Sequence, residues 1–169
     1  MVPKNWPKLN KLSYKLLLVT LQIFFLFAIL SKQSLAKSSG VFNYFASLRA
    51  SETNVRSGPG RIYPIKFTYK IKNIPILITD EYDNWNEIRD YEGQTGWISK
   101  SLITKKRSLM IRTSKSYALM HSSRSRDSRT ILKLENNVIG DYVKCLDNWC
   151  KIEVANKSGW VEKVDLFGF

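Results

Sequence analysis

Histidine and cysteine are scarce in this sequence, and their scarcity limits the chemistry it can perform. The 169 residues include one histidine, His121, and two cysteines, Cys145 and Cys150. A structural zinc site takes about four nitrogen or sulfur ligands, and nucleophilic catalysis needs a nucleophile held beside a base. No serine or lysine has an evident basic partner, and His121 is expected to be solvated beside the serine- and arginine-rich loop 122–128. We therefore predict that the protein is not an enzyme and has no cofactor and no metal site.

Acidic residues are also few, with 14 Asp and Glu against 27 Lys and Arg. Five of the lysines lie within the first 36 residues, so the rest of the chain carries 22 basic and 14 acidic residues, a surplus of +8. Such a surplus favours anionic partners, whether wall polymers, lipid head groups or nucleic acid. The clusters of basic residues and aromatics on one helix that are typical of nucleic-acid binding are not evident. We expect no nucleic-acid partner.

The sequence has a single long apolar run, from Leu16 to Leu30. Lysines precede the run, and Ser34-Leu35-Ala36 places small residues where a signal peptidase cleaves. The run is shorter than the roughly 20 residues that span a bilayer. Residues 1–36 are therefore predicted to be a secretory signal peptide, with the mature protein beginning near Lys37. The alternative is an uncleaved anchor, which would be the only contact with a membrane.

Residues 37–169 lack a helical period longer than a turn or two. Short apolar alternations, interrupted by frequent turn signals, predict an all-β protein instead. Three strands of a meander are predicted in each half: 76–78, 85–90 and 95–99 in the first, and 142–146, 149–155 and 159–164 in the second. The turns between them are placed at 83–84 and 92–93, and at 147–148 and 156–158.

The two halves repeat one another at the level of single residues. Asp-Asn-Trp, a short strand and then Gly-Trp occur between Asp83 and Ser101, and the same order returns 64 residues later, between Asp147 and Val164. The repeat predicts two small domains, residues 41–104 and 105–169, joined by the basic segment 104–107. So short a connection favours direct packing of the two domains. The candidates for the seam between them are the 41–45 strand, Phe167 and Phe169.

The two cysteines bracket the second Asp-Asn turn. If Asp147-Asn148 is the tip of a two-residue hairpin, Leu146 faces Trp149 and Cys145 faces Cys150. Direct neighbours on a non-hydrogen-bonded pair are close enough for a bridge. A disulfide between Cys145 and Cys150 is therefore predicted in an oxidising compartment. Its short loop limits the gain in stability to about 2 kcal/mol.

The motif Thr53-Asn54-Val55-Arg56-Ser57-Gly58-Pro59, followed by Trp85 and Gly96-Trp97-Ile98, resembles the bacterial SH3-like domain. The resemblance covers nearly all of the chain after residue 36. It is closest to small exported Gram-negative proteins with two such domains, the second of which carries a Cys pair. It implies two tandem SH3-like barrels in the periplasm. The second unit has Ala118 to Ser123 where the first has the motif, so ligand contacts through the motif are expected in the first unit.

Period-two alternation assigns the two faces of the strand that begins at Trp85. Asn86 and Ile88 share one face, and Ile88 is expected in the core. Trp85, Glu87 and Arg89 share the other face, where a half-exposed Trp85 could line a shallow groove.

The candidate ligand-binding residues are Arg56, Trp85, Arg89 and Asp90. Arg56 either binds a ligand carboxylate with two parallel hydrogen bonds or forms a structural ion pair with Glu52, Glu87 or Asp90. The residues expected to be structural are Trp97, Trp160, Gly58, Pro59, Gly96 and Gly159. Both tryptophans are expected in the cores. Pro59 and Gly60 are expected in a type II turn with a positive φ at Gly60, and Gly96 is expected to leave room for the indole or for a crossing strand.

Three functions fit these observations. The first is a non-catalytic periplasmic module that recognises cell-wall peptide, cell-wall glycan or a protein partner through the first unit. The second is a structural subunit of an envelope protein complex that does not bind the wall. The third is an intracellular basic barrel on nucleic acid, which a disulfide in the cell would exclude.

Overall fold

The computed structural model describes residues 43–169. The predicted signal peptide, residues 1–36, and Val41 of the predicted seam lie outside the described residues. The described chain is built of β-strands and two short 3-10 helices. The predicted all-β fold of two tandem SH3-like barrels is confirmed.

The first unit contains seven strands and one 3-10 helix. They are β1 (Tyr44–Leu48), β2 (Thr53–Arg56), β3 (Ile65–Tyr69), β4 (Pro75–Tyr82), β5 (Trp85–Arg89), β6 (Thr95–Ser99), η1 (Lys100–Leu102) and β7 (Ile103–Thr104).

The second unit repeats this series. Its elements are β8 (Ser108–Ile111), β9 (Ala118–His121), β10 (Thr130–Leu134), β11 (Ile139–Leu146), β12 (Trp149–Val154), β13 (Lys157–Glu162), η2 (Lys163–Asp165) and β14 (Leu166–Phe167).

Each unit folds into one seven-stranded antiparallel sheet, and the strand order is the same in both. The order is β3-β2-β6-β5-β4-β1-β7 in the first sheet and β10-β9-β13-β12-β11-β8-β14 in the second. Each strand of the second sheet therefore has the same position as the strand with a number lower by seven in the first sheet. Residues that repeat in the sequence thus lie at equivalent positions in the two folds.

The inner face of each sheet forms an aliphatic core. In the first unit Val55, Ile88 and Ile98 are completely buried, and Met120, Ile152 and Val161 take the same places in the second. Burial of each such side chain contributes about 1.5–3 kcal/mol. The prediction that Ile88 lies in the core is confirmed, and the strand positions next to it face outward.

The β11–β12 hairpin has the predicted register. Leu146 pairs with Trp149 and Cys145 with Cys150. The φ of Asp147 at the tip is 51°, and the two cysteine α-carbons lie 4.0 Å apart across a disulfide. The predicted bridge is confirmed.

The following turn differs from the prediction. Strand β12 ends at Val154 and β13 begins at Lys157, so the turn is Ala155-Asn156 and not 156–158. Both turn residues have positive φ, 49° and 62°, as a tight two-residue hairpin of type I′ requires. Ala155 is apolar and so continues the strand pattern in the sequence, but in the fold it shares the left-handed conformation of Asn156, which Asn adopts more readily than most residues.

Buried contacts join the two sheets. Asn73 and Ser47 of the first unit bind Ser108 of the second: Ser108 Oγ donates to the Asn73 carbonyl at 2.5 Å, and Ser47 Oγ accepts from the Ser108 N–H at 3.0 Å. The rings of Phe45 and Phe167 meet edge to face at 5.3 Å between centroids. The predicted contact of the 41–45 strand with Phe167 is therefore confirmed for Phe45.

Candidate functional site

The outer face of the first sheet carries the candidate binding residues. Cross-strand register aligns Arg56 of β2, Trp97 of β6 and Glu87 of β5 in one row. Trp85 lies in the next row, between Tyr82 and Ser99, and Arg89 lies on the same face beyond Glu87. We call this surface the tryptophan face, and it consists of Arg56, Tyr82, Trp85, Glu87, Arg89 and Trp97.

Trp97 belongs to this outer face, so the prediction that it packs in the core is wrong. Its neighbours Gly96 and Ile98 are buried, whereas Trp97 is only half-buried. Successive side chains of a strand point to opposite faces of the sheet. Gly96 and Ile98 face the core, so Trp97 between them faces outward. Trp160 is half-buried in the same position of the second unit, between buried Gly159 and Val161, so its predicted place in the core is also wrong.

The core-facing glycines are required by a crossing strand and not by an indole. A β-carbon at Gly96 would lie 2.5 Å from Val55 Cγ1 and 2.9 Å from the Arg56 carbonyl oxygen. At Gly159 the corresponding distances are 2.6 Å to Met120 Cγ and 2.9 Å to the His121 carbonyl oxygen. A side chain at either position would therefore push β2 or β9 away from its neighbour.

Arg56 organises the loop 57–64 that follows β2. Its Nη1 donates to the carbonyl of Tyr63 at 2.7 Å and to that of Arg61 at 3.1 Å. Within residues 43–169 no carboxylate forms an ion pair with it, so neither the predicted pair with Glu52 or Glu87 nor one with Asp90 is present. Arg56 therefore adds an uncompensated positive charge beside Trp97.

Gly58 gives the same loop its shape. A β-carbon there would lie 2.6 Å from the Tyr63 ring, so the ring packs directly on the backbone at Gly58. Gly60 does not have a positive φ, and the predicted type II turn at Pro59-Gly60 is wrong. The Gly60 N–H instead donates to the Gly58 carbonyl at 2.9 Å, which closes a tighter turn. The loop presents Ile62, which is 91% exposed, to solvent.

Asp90 is a structural residue, which corrects its prediction as a ligand-binding one. It is 3% exposed. Its Oδ1 accepts from the N–H groups of Glu92 and Gln94 at 2.9 and 2.8 Å, and its Oδ2 accepts from the Tyr69 hydroxyl at 2.7 Å. Burial, followed by this hydrogen bond, raises the pKa of Tyr69. Asp90 therefore fixes the β5–β6 turn and is buried away from any ligand in solution.

The second unit keeps both tryptophans of this face, with Trp149 and Trp160 at the positions of Trp85 and Trp97, and adds cations beside Trp160. The Arg124 guanidinium lies 5.6 Å from the Trp160 ring centroid, and the Lys144 ammonium lies 5.9 Å from it. Cations at this distance are attracted by the ring face.

His121 is buried, so the prediction of a solvated histidine is wrong. It is 4% exposed, and its ring meets the edge of Trp149 at 5.6 Å between centroids. Its Nδ1 lies 3.2 Å from the Ser128 carbonyl oxygen. His121 is the last residue of β9, and its ring packs against Trp149. The side chain is therefore buried, although the loop that follows it is polar.

A cavity of about 550 Å³ opens on the opposite, inward-facing side of the first sheet. No local sequence pattern predicts this cavity, because its walls come from five separate parts of the chain. The lining residues are Tyr44, Ala46, Arg49, Glu81, Asn86, Lys100, Ile103, Thr104 and Lys105. We call it the barrel-end cavity.

Among residues 43–169, no three His, Cys, Asp or Glu side chains lie close enough together to hold a metal ion. None of the helices in that same part of the chain is long and apolar enough to cross a bilayer.

Comparison with known protein families identifies the class of the protein. The family model of the bacterial SH3 domain matches residues 49–105 and again residues 114–168. The chain therefore belongs to the bacterial SH3 domain family, with two copies in tandem. Bacterial SH3 domains are generally modules that bind cell-wall components. A search of curated proteins finds no match.

Several solved structures are distantly similar. NlpC2 from Trichomonas vaginalis has a TM-score of 0.35 and 13% identity, over 76% of this chain and 49% of that one. NlpC1 from the same organism has a TM-score of 0.35 and 14% identity, over 78% and 48%. An NlpC/P60 family protein from Bacillus cereus has a TM-score of 0.33 and 13% identity, over 73% and 55%. The matched region thus spans about half the length of these structures.

Proposed function

We propose that the protein is a non-catalytic binding module of the cell envelope, and that its first barrel binds cell-wall peptide or glycan through the tryptophan face. Membership of the bacterial SH3 domain family supports binding to the wall. The single observation that carries the choice of surface is the pair of half-buried tryptophans, Trp85 and Trp97, in adjacent rows of one outer face. The second barrel has Trp149 and Trp160 at the equivalent positions, but Arg124 and Lys144 lie over the Trp160 ring, which favours the first barrel.

The chemistry of the tryptophan face suits such a ligand. Flat indole faces pack against sugar rings and peptide planes, and they supply contact area at low entropic cost. Arg56 and Arg89 flank the tryptophans with positive charge, while Glu87 is held by the Thr79 hydroxyl at 3.2 Å. Wall peptides carry carboxylates, which guanidinium groups bind well. In this proposal, stacking of the ligand on the indole rings provides affinity, and the arginines provide a preference for wall peptides that carry carboxylates.

We also propose that the protein acts in the periplasm of a Gram-negative envelope. The apolar segment in residues 1–36 supports export, and the Cys145–Cys150 disulfide fits an oxidising compartment. Sequencing the N-terminus of the protein from an envelope fraction tests this placement. Retention of Met1 in the membrane pellet would favour the anchor.

Sedimentation with purified sacculi at physiological salt tests the proposed wall binding. We expect the wild-type protein to pellet with sacculi and Trp85→Ala or Trp97→Ala to remain largely in solution. Trp160→Ala is the matched control from the second barrel and should pellet nearly as well as the wild type. Equal loss for all three variants, or no retention of the wild type, would contradict the proposal.

A second candidate function is that of a structural subunit of an envelope complex. The loop 57–64 favours it, because a nearly fully exposed Ile62 beside exposed Ile65 forms an apolar projection that suits a protein partner. Crosslinking in whole cells distinguishes the two functions. A partner captured by the wild type but not by Ile62→Ser, together with unchanged sacculus binding, would assign the loop to a protein contact.

A further inference from the structure

The second barrel has a cavity at the place where two of its strands separate. Within the described chain, β9 and β13 are joined by one pair of residues, His121 and Trp160. Two residues away on each strand, Leu119 and Glu162 line a cavity of about 320 Å³, a volume within the range of small-molecule sites. We call it the η2 cavity, and its charged and polar lining consists of Lys115, His121, Arg126, Glu162 and Asp165.

Asp165 places a carboxylate in this cavity without a hydrogen bond. Its side chain is 9% exposed, and its ion-pair partner, Lys115 Nζ, lies 3.9 Å from Oδ2, which is beyond hydrogen-bond distance. Among the described residues, no donor binds the carboxylate. The side-chain polar atoms of residues 43–169 that are both unpaired and sealed from solvent are Thr53 Oγ1, Asn86 Oδ1 and Arg107 Nε. The Asp165 oxygens are not among them, so a ligand can reach them from the cavity.

The first barrel shows that the fold does not require this carboxylate. Asp165 is the last residue of η2, and the last residue of η1 is Leu102, which packs against the first core. Lys115 lies three residues before the start of β9, and Ala50 lies three residues before the start of β2. The same fold therefore forms with uncharged residues at both positions. A largely buried carboxylate without a donor costs free energy, which a cationic ligand would recover.

The other two charges of the η2 cavity neutralise each other. Arg126 Nε and Nη2 donate to the two carboxylate oxygens of Glu162 at 2.9 and 2.5 Å. These hydrogen bonds lower the pKa of Glu162, so Glu162 stays ionised and paired. Lys115 and Asp165 are left for a ligand, as one positive and one negative group 3.9 Å apart.

His121 adds a hydrogen-bond acceptor to the wall. Its Nδ1 lies 3.2 Å from the Ser128 carbonyl oxygen. Because a carbonyl oxygen only accepts, Nδ1 carries the proton and Nε2 is the acceptor in the neutral ring. Among the described residues Nε2 has no hydrogen-bond partner, and it is not sealed from solvent. An ammonium group, which has three donors, therefore suits this wall.

We propose that the η2 cavity binds a small α-amino acid with an apolar side chain as its zwitterion. The ligand ammonium donates to the Asp165 carboxylate, and the ligand carboxylate accepts from Lys115, so both contacts are charge-assisted hydrogen bonds. One carbon atom carries both charged groups of the ligand, which suits two opposite charges that lie close together in the wall. The apolar side chain packs against Tyr117 and Leu119, which complete the lining. The site lies in the second barrel and does not rest on the proposed function.

Titration of the purified protein with leucine, followed by calorimetry and by amide chemical shifts, tests the site. The probes are L-leucine and D-leucine, each also prepared as N-acetyl-leucine, which lacks the ammonium, and as leucinamide, which lacks the carboxylate. We expect at least one enantiomer to bind and to shift the amide signals of β9 and η2. Its two derivatives should bind at least about tenfold more weakly, because each loses a charge-assisted hydrogen bond. Binding of either derivative as strong as that of leucine, or no binding of either enantiomer, would overturn the proposal.

Asp165→Asn locates the ammonium group. The substitution keeps the shape of the side chain and breaks no hydrogen bond of the carboxylate, so the melting temperature should not fall. Leucine should bind at least about tenfold more weakly, because the charged acceptor is lost. Glu153→Gln is the control, since it removes one negative charge from an exposed position of β12 outside the cavity. It should leave the affinity within about twofold, because salt screens an exposed charge. Equal effects of the two variants would show attraction by net charge only and would remove the site.

Lys115→Gln tests the contact with the ligand carboxylate. The Lys115 side chain is 66% exposed, so the fold should not depend on it. The preference for leucine over leucinamide should fall to about threefold or less, because the cation that distinguishes them is gone. An unchanged preference would exclude Lys115 and contradict recognition of a zwitterion. This measurement also decides the proposal if Asp165→Asn does not fold.

Discussion

The two barrels share strand order and register but differ at each place where a ligand could bind. The first has half-buried Trp85 and Trp97 beside Arg56, and a cavity of about 550 Å³ at the end of the sheet. The second has two cations over Trp160, and a disulfide at the register that Glu81 and Asn86 occupy in the first. The difference teaches that a duplicated barrel can keep its strand order and core while its outer face and sheet end change.

The largest expected effect is the same in both barrels. Ile88→Ala and Ile152→Ala each remove a completely buried side chain from equivalent core positions, and each should cost about 2–5 kcal/mol. Chemical denaturation followed by circular dichroism measures both. A cost much smaller for one of them would show that the two cores are not equivalent.

Asp90 should matter only to the first barrel. Asp90→Ala leaves two N–H groups and the Tyr69 hydroxyl without their acceptor, and it should cost about 2–3 kcal/mol. Val154, the equivalent residue, ends a strand without such bonds, so Val154→Ala should cost about 1 kcal/mol. Thermal unfolding compares the two. Equal costs would contradict the structural role given to Asp90.

The disulfide should contribute moderately to the second barrel. Cys145→Ser with Cys150→Ser should cost about 2 kcal/mol, because the bridge closes a short loop. Hydrogen exchange of the β11–β12 amides should increase while the first barrel keeps its protection. If the second barrel fails to fold in this variant, the disulfide contributes far more than loop closure explains.

The smallest effect on stability is expected at the tryptophan face. Trp97→Ala should cost about 1 kcal/mol, well below the cost of Ile88→Ala, because the indole is half-buried outside the core. Denaturant titration of Trp97→Ala beside Trp160→Ala measures it. A cost of 3 kcal/mol or more would return Trp97 to a core role and weaken the proposed site.

Local patterns in the sequence predicted much of the fold. The Asp-Asn turns, the alternation through Ile88 and the pairing of Cys145 with Cys150 all follow from short-range geometry. The size of Trp97 favours a core position, but the alternation of buried Gly96 and Ile98 directs it outward, and the alternation decides. The sequence does indicate the structural role of Asp90, because an Asp at the start of a turn commonly accepts hydrogen bonds from the backbone N–H groups that follow it.

The barrel-end cavity could not be predicted in the same way. Arg49, Glu81 and Lys105 come together only because β1, β4 and β7 are neighbours in the sheet. Neither composition nor spacing distinguishes these residues from other surface charges. Within residues 43–169, Asn86 Oδ1 is buried without a hydrogen-bond partner, and no sequence pattern states which acceptors lack a donor.

The serine contacts between the barrels have a mechanical consequence. Ser108 binds both Ser47 and Asn73, and Met110 of the second unit packs into the first core. Once the chain has folded, these contacts should therefore hold the two barrels together even if the chain is cut at residues 105–107. Trypsin cleavage after the exposed Lys105 or Lys106 would leave two fragments that migrate as one particle in native gels and separate only in denaturant.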